Sequence, residues 1–267
     1  MHHIFVNEKN INDDYVILHK SDDIDTFNHL KVLRLNIDEK IIVSSLPYKE
    51  DKNYIAKVIS FNNDNIEFKI VDVDKKREID RNINLYMGII KKDAFEFAIE
   101  KTVELGIKKI IPVLMDYSKS NFVSGTNNKY KKDNVNKNTF LSDKDLIRLN
   151  TISKAAATQC NRPYIPEVIN IISFENMISD IKGENEDYIN IMLYENKNGL
   201  DDTIALLNEI KDSKKQINII VGPEGGFSDK EIKLLNNQNI KIISLGDRVL
   251  RAETAAIAIM SLISIYA

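Results

Sequence analysis

Residues 221–227 read Val-Gly-Pro-Glu-Gly-Gly-Phe and hold three of the chain's nine glycines, directly after the apolar run 217–221. A β-branched run that stops at glycines predicts a strand ending in a loop. The next four residues, Ser-Asp-Lys-Glu at 228–231, have the spacing of a capping box and predict a helix start. Glycines let a ligand approach bare backbone, and a helix N-terminus offers unpaired N–H donors. The stretch therefore predicts a strand, a ligand-sized loop and a helix.

The chain then repeats this arrangement. Residues 240–245 have the pattern of a strand, and Gly-Asp-Arg-Val-Leu-Arg at 246–251 leads into an apolar helix starting near Ala252. In parallel sheets, ligands usually sit at the carboxyl ends of the strands. We therefore expect the two loops to face one pocket.

Length and composition are those of a globular protein. The 267 residues suffice for two modest domains, with 43% hydrophobic and 29% charged residues. The net charge of −3 does not indicate a nucleic-acid binder, but it leaves room for a local basic surface.

Several function classes are disfavoured. The single cysteine, Cys160, excludes an internal disulfide and a cysteine cluster for zinc, which fits a cytoplasmic setting. The start lacks the pattern of a signal peptide, and the uncharged run 254–267 is shorter than the roughly 20 residues of a membrane-spanning helix. We expect no membrane segment and no metal, and we expect His2 and His3 to lie on a flexible surface.

The first part of the chain indicates a small, mostly antiparallel β domain at 1–75. Extended segments are predicted at 4–6, 40–44, 54–59 and 65–71. A short amphipathic helix is predicted at 29–35, with Leu30, Val32, Leu33 and Leu35 as its apolar residues and Lys31 and Arg34 facing solvent. The charged segment 72–78 is interpreted as a linker.

The remainder, 76–267, has the alternation of an α/β domain with a largely parallel sheet. Extended segments are predicted at 83–90, 109–114 and 188–194, and helices at 94–105, 144–159 and 203–210. The polar stretch 121–138 is interpreted as a mobile loop or insertion.

The chemistry available at the glycine loops is limited. All four histidines, at positions 2, 3, 19 and 29, lie in the first domain, which disfavours Ser-His or Cys-His catalysis at the loops. The loop spacing matches neither the dinucleotide-binding nor the P-loop pattern.

Both loops carry a family resemblance. Residues 221–228, Val-Gly-Pro-Glu-Gly-Gly-Phe-Ser, and 245–255, Leu-Gly-Asp-Arg-Val-Leu-Arg-Ala-Glu-Thr-Ala, resemble the paired signature of the ribosomal RNA small subunit methyltransferase E family. The resemblance extends to 97–107, 155–162 and 29–35, in the family's order. The Arg-Ser-Val and Arg-Trp segments of the family appear here as Ser118-Lys119-Ser120-Asn121 and Arg148-Leu149, which weakens the expectation of RNA contacts there.

The resemblance implies a PUA-like β-barrel RNA-binding domain followed by a SPOUT-class α/β domain with a C-terminal trefoil knot. It implies a homodimer that uses S-adenosyl-L-methionine to methylate N3 of a uridine in the decoding region of 16S rRNA in the small ribosomal subunit. Its expected cofactor neighbours are Gly222, Glu224, Gly226, Leu245, Gly246, Leu250, Arg251 and Thr254, with Leu193, Tyr194 and Glu195 closing the same pocket.

Methylation at N3 requires loss of a weakly acidic proton, while negative charge appears on the ring carbonyls. Arg251 is the candidate that stabilises this charge, and Glu224 or Glu253 is the candidate base. Each glutamate could equally cap a backbone amide or pair with an arginine, which are structural roles.

The candidate RNA contacts are Lys31, Arg34, Lys119 and Arg162, because phosphate binding needs exposed cations. Two other functions stay open, a SPOUT methyltransferase of another RNA such as tRNA, and an RNA-binding module without catalysis.

Overall fold

A computed structural model describes residues 1–48, 51–75, 78–118, 141–183, 187–195 and 200–267. The chain divides into two compact units. The first contains residues 1–78 and also 157–165, and the second contains 79–156 and 166–267. The sequence-based division at residues 75 and 76 stays a prediction.

The first unit is a mixed sheet with one helix. Its strands are β1 (His2–Asn7), β2 (Tyr15–His19), β3 (Lys40–Leu46), β4 (Lys52–Phe61) and β5 (Asn65–Lys75), its helix is α1 (Ile24–Leu33), and a 3₁₀ turn covers Glu8–Asn10. The described strands have the order β1-β3-β4-β5-β2, in which β1 and β3 are parallel and the other pairs are antiparallel. The predicted, mostly antiparallel β structure is confirmed for this part of the chain.

Helix α1 differs from the helix predicted at 29–35. The Asp23 side chain accepts hydrogen bonds from the backbone N–H and the hydroxyl of Thr26, so the helix begins at Ile24. Arg34 has φ 49° and ψ 46°, a left-handed conformation that ends the helix. Phe27 and Leu30 are buried, whereas Val32 is 79% exposed, so placing Val32 on the apolar face was wrong.

The linker predicted at 72–78 is also partly wrong. Residues 72–75 continue β5, with Asp72 opposite Ile55 and Val73 opposite Tyr54 of β4. Cross-strand pairing therefore outweighs the charged composition of this segment. Residues 76 and 77 lie outside the described part of the chain.

His3 is buried rather than on a flexible surface, with 6% exposure. Its Nδ1 donates to the Thr158 carbonyl at 3.2 Å, and its Nε2 lies 2.8 Å from Ser44 Oγ. Burial lowers the pKa of His3 to about 4, and the hydrogen bond to Thr158 offsets part of that effect. This histidine is thus a neutral, structural side chain near neutral pH.

The second unit is an α/β fold with a parallel sheet, as predicted. Its strands are β6 (Ile83–Gly88), β7 (Lys109–Leu114), β8 (Glu167–Val168), β9 (Ile172–Ser173), β10 (Tyr188–Leu193), β11 (Gln216–Val221) and β12 (Ile240–Ile243). Its helices are α2 (Lys92–Glu104), α3 (Asp143–Gln159, whose last residues belong to the first unit), α4 (Phe174–Gly183), α5 (Asp201–Asp212), α6 (Asp229–Asn236) and α7 (Ala252–Tyr266). Among the described strands the order is β12-β10-β11-β6-β7-β8, with β9 also pairing with β7.

A row of asparagines fixes the register of three central strands. Asn84 of β6, Asn218 of β11 and Asn190 of β10 lie opposite one another, and Asn218 is fully buried. Asn84 donates to Asn218 at 3.0 Å, and Asn218 donates to Asn190 at 2.9 Å. Slipping any of these strands would leave buried amides unpaired, so the row aligns the strand ends that carry the loops.

No helix in the described ranges has both the length and the apolar character needed to cross a membrane.

Candidate active site

A cavity of about 250 Å³ lies at the carboxyl ends of β10, β11 and β12. Three consecutive strand-end segments build it. The lining residues are Leu193, Tyr194, Glu195, Val221, Gly222, Pro223, Glu224, Gly226, Phe227, Ser244, Leu245, Gly246, Arg248, Val249, Leu250, Arg251, Ala252 and Ala255. The two loops thus face one pocket, as the sequence predicts.

The first loop begins where β11 ends at Val221. The Gly226 N–H donates to the Pro223 carbonyl at 2.9 Å, and Gly226 has φ +72°, which is accessible to glycine without strain. The predicted capping box is present, because Ser228 Oγ accepts from the Glu231 N–H and the Glu231 carboxylate accepts from the Ser228 N–H. The loop is therefore held between a buried strand and a capped helix.

Gly88, at the end of β6, allows this loop to pack against the sheet. A Cβ at residue 88 would lie 2.6 Å from both the backbone nitrogen and Cδ of Pro223. Gly88 was not among the predicted site residues. A glycine at the end of a mostly apolar strand is the signal that could have found it, since such glycines mark close backbone approach.

The second loop follows β12. Thr203 of α5 donates to the Ser244 carbonyl at 2.6 Å, and the Gly246 N–H donates to Ser244 Oγ at 3.2 Å. Gly246 has φ +109°, and among the described residues no heavy atom from outside 245–247 lies within 4 Å of the position that its Cβ would occupy. The loop thus exposes open backbone at the cavity.

The third segment follows β10. The Tyr194 N–H donates to the Ile243 carbonyl at 3.1 Å, which ties this segment to β12. Oε1 of Glu195 lies 2.9 Å from the position that a Cβ at Gly226 would take. Glu195 therefore brings a carboxylate against the first glycine loop.

The charged residues at the cavity are mostly open to solvent. The Arg251 side chain is 85% exposed, and its Nη1 lies 4.0 Å from Oε1 of Glu253, whose side chain is 12% exposed. Glu224 is exposed and accepts a long hydrogen bond from the Lys91 N–H at 3.4 Å. Both glutamates thus show contacts of the structural kind that the sequence analysis kept open beside the catalytic role.

Ten of the predicted cofactor neighbours line this one cavity, all except Thr254. Thr254 is exposed in the first turn of α7, outside the lining. Glu253, a candidate base, is also absent from the lining. The cofactor and catalytic roles of these residues remain predictions.

A polar clamp joins the turn after β7 to the start of α6. The Asp116 N–H donates to Glu231 Oε1 at 2.9 Å, and the Ser228 hydroxyl donates to Asp116 Oδ2 at 2.5 Å. Glu231 is buried, and this burial raises its pKa, while the N–H donors of Ser228 and Asp116 counter part of the rise. The clamp holds the turn 115–118 beside the glycine loop.

The predicted RNA contacts have different surroundings. Lys31 and Arg34 are exposed at the end of α1. Arg162, in contrast, is buried, and its guanidinium donates to both carboxylate oxygens of Glu78 at 2.8 and 2.6 Å. Arg162 is therefore not the exposed cation that was expected, because its guanidinium is paired with Glu78 within the first unit, and its contact with RNA stays a prediction. Lys119 lies outside the described residues.

A broader depression of about 710 Å³ is lined by α2 and α3. Helix side chains form it, including the ion pair of Arg148 with Glu96 at 2.7 Å. The smaller cavity is the better candidate site, because only it combines strand-end backbone, glycines and a helix N-terminus. The described ranges contain no group of three or more His, Cys, Asp or Glu residues that could hold a metal ion.

The family model for the RNA methyltransferase domain matches residues 77–264. The ribosomal RNA small subunit methyltransferase E of Mesomycoplasma hyopneumoniae is 30% identical over 262 residues, which cover 98% of each chain. The chain belongs to the ribosomal RNA small subunit methyltransferase E family. The family member from Rickettsia conorii is also 30% identical, over 85% of this chain and 80% of that one.

The fold agrees with a solved structure of the same family. The ribosomal RNA small subunit methyltransferase E of Neisseria gonorrhoeae, bound to S-adenosyl methionine, gives a TM-score of 0.77 at 24% identity. The match covers 99% of this chain and 97% of that one. The chain therefore resembles this family in its fold as well as in its sequence.

Proposed function

We propose that this chain transfers a methyl group from S-adenosyl-L-methionine to N3 of a specific uridine in the decoding region of 16S rRNA. The observation that carries the proposal is that both signature loops, 221–228 and 245–255, contribute to one cavity with the segment 193–195. The relatives are named for methylation of the small-subunit RNA, and the Neisseria gonorrhoeae protein binds the proposed methyl donor.

The residues of the cavity suit this donor chemically. Apolar walls from Leu193, Leu245 and Leu250 suit an adenine ring, and the glycine backbone suits its polar edge. The carboxylates of Glu195 and Glu224 suit a cationic group, and Arg248 and Arg251 suit a carboxylate. When bound, S-adenosyl-L-methionine supplies an electrophilic methyl group on a sulfonium.

The protein's own contribution is alignment and electrostatic stabilisation. Arg251 is free enough to reach the carbonyl oxygens of a uracil, where negative charge develops as N3 loses its proton. Glu224 or Glu253 accepts that proton, each from a position beside the loop that holds the donor. Proximity of N3 to the methyl group accounts for much of the remaining acceleration.

The wider architecture is part of the same proposal. We assign residues 1–75 to a PUA-like β-barrel that binds RNA through Lys31 and Arg34, and 76–267 to a SPOUT domain with a C-terminal trefoil knot. The placement of β12 beside β10, with β10 also paired to β11, supports this topology. The proposed active form is a cytoplasmic homodimer.

The experiment offers labelled S-adenosyl-L-methionine with three acceptors, namely small subunits lacking the modification, naked 16S rRNA and tRNA. We expect label in the small-subunit RNA and none in tRNA. Label in tRNA alone would assign the chain to another SPOUT activity. Cofactor binding without transfer to any RNA would indicate a non-catalytic module.

Replacing Arg251 with Ala tests the proposed catalytic arginine. Loss of one such donor costs roughly 100-fold to 1,000-fold in kcat. The control variant is Lys230→Ala, which removes a positive charge from an exposed position outside the cavity lining and should cost far less. Equal losses in both variants would show a general charge effect and remove the special role of Arg251.

A further inference from the structure

Tyr117 is an exposed aromatic residue held on a rigid turn beside the cavity. Tyr117 is 50% exposed and lies three residues after the end of β7, close to the buried Met115. Single exposed rings are common on protein surfaces, so the position of Tyr117 relative to the cavity decides whether it has a binding role. The turn that carries Tyr117 and the loop beside its ring indicate which role it has.

The turn that carries Tyr117 is fixed from both sides. The Ser118 N–H donates to the Met115 carbonyl at 3.0 Å, and the Met115 N–H donates to Ser118 Oγ at 2.9 Å. Asp116 is held by the clamp to Ser228 and Glu231 described above. The ring is thus presented by a backbone that is already ordered, which lowers the entropy cost of a contact made by it.

The ring lies along the glycine loop. The Cβ, Cγ and Cδ2 atoms of Tyr117 lie 2.8, 3.3 and 3.5 Å from the position of a Cβ at Gly225. The two neighbours of Gly225, which are Glu224 and Gly226, both line the cavity. Tyr117 therefore stands at the side of the loop that is proposed to hold the methyl donor.

We propose that Tyr117 stacks on a nucleobase of the RNA substrate and so positions the target uridine for methyl transfer; this inference rests on the proposed function. The target uracil must unstack from its neighbouring bases before its N3 can reach a methyl group inside a protein cavity. Aromatic side chains commonly stack on bases that are exposed in this way. The ring of Tyr117 is flat, exposed and adjacent to the donor loop. Within the described residues its hydroxyl has no hydrogen-bond partner, and we assign the contact to the ring.

The test compares Tyr117→Ala and Tyr117→Phe with the wild-type full-length protein. Stacking on one base is worth about 1–3 kcal/mol by alanine substitution, which corresponds to a loss of roughly 5-fold to 150-fold. We expect Tyr117→Ala to lose this factor in affinity for small subunits lacking the modification, and in kcat/KM for transfer to them. Tyr117→Phe should retain wild-type values, and the affinity of both variants for S-adenosyl-L-methionine should be unchanged.

Phe97→Ala is the matched control, because Phe97 is 48% exposed on α2 in the same unit and does not line the cavity. It should bind the subunits as the wild type does.

Wild-type affinity of Tyr117→Ala, or a loss confined to its binding of S-adenosyl-L-methionine, would overturn the inference. If the wild type binds the subunits but transfers no methyl group, only the proposed function is contradicted. The difference in subunit affinity between the wild type and Tyr117→Ala still measures the stacking contact. Absence of binding by the wild type would overturn both.

Discussion

Replacing Gly88 with Ala should move the first glycine loop away from the sheet. The new Cβ would lie 2.6 Å from the nitrogen and Cδ of Pro223 and 3.0 Å from Sδ of Met115. Ordinary van der Waals contact begins near 3.4 Å, so Pro223 must retreat by about 0.8 Å. The obstructing atoms belong to backbone and a proline ring, which cannot rotate aside.

Overpacking of this kind costs about 1–3 kcal/mol, and if the cost falls on the loop it weakens cofactor binding by roughly 5-fold to 150-fold. The assay is calorimetric titration with S-adenosyl-L-methionine, together with urea unfolding of the free protein. Gly106→Ala is the control, because a Cβ there lies 2.5 Å from Cδ1 of Ile79, φ is +102°, and the residue is not part of the cavity. It should lower the free energy of unfolding and leave binding intact.

Cofactor binding by Gly88→Ala within about twofold of the wild type would show that Pro223 does not hold the loop in its binding position. A crystal structure of that variant with an unmoved Pro223 would refute the predicted displacement independently. Equal loss of binding in Gly106→Ala would attribute the effect to global destabilisation instead of loop displacement.

Three further predictions concern the sheet, the buried histidine and the RNA face. Asn218→Ala should lower the free energy of unfolding by about 2–4 kcal/mol in urea, because it removes hydrogen bonds to Asn84 and Asn190; a loss under about 0.5 kcal/mol would contradict the role of the row. The pKa of His3 is lowered from 6.5 to about 4, so the unfolded chain takes up a proton first as pH falls. The contribution of neutral His3 to the free energy of unfolding should be fully present above about pH 6.5, and it should fall by at most about 3 kcal/mol toward pH 4. His3→Gln should flatten this profile in urea titrations at several pH values and exposed His29→Gln should not; an unchanged slope in His3→Gln would reject the assignment. The double variant Lys31→Glu, Arg34→Glu should weaken RNA binding and reduce its salt dependence, and unchanged filter-binding affinity would remove α1 from the RNA surface.

Local patterns made the central features of the site predictable. The glycines at 222, 225 and 226 and the capping box of Ser228 and Glu231 depend on neighbours within a few residues. Their strand–loop–helix order, repeated at 240–252, follows from the same short-range rules. The cavity at the strand ends then follows from the parallel arrangement of β10, β11 and β12.

Features that depend on distant residues were not predictable in this way. Gly88 matters because Pro223 packs on it, and these residues are far apart in the chain. Arg162 is buried because Glu78 pairs with both of its donor groups, which no local pattern of the arginine reveals. The charge of a loop arginine gives no information about such a partner.

Two elements were missed although their signals were readable. In β2 the alternating residues Val16 and Leu18 are buried, and α4 buries Met177, Ile178 and Ile181 at helical spacing. The start of α1 was missed for another reason, because Asp23 and Thr26 form a cap whose importance depends on Phe27 packing into the core. No local sequence pattern marks Tyr117, because its place beside the cavity results from packing against Gly225, which is distant in the chain.

The most direct test of the account is the chemical identity of the methylated nucleoside. Small subunits lacking the modification are incubated with the wild-type protein and S-adenosyl-L-methionine, and the 16S rRNA is digested to nucleosides for mass spectrometry against authentic standards. We expect N3-methyluridine at a single position in the decoding region. A methyl group on ribose, on another base or on another atom of uracil would contradict it.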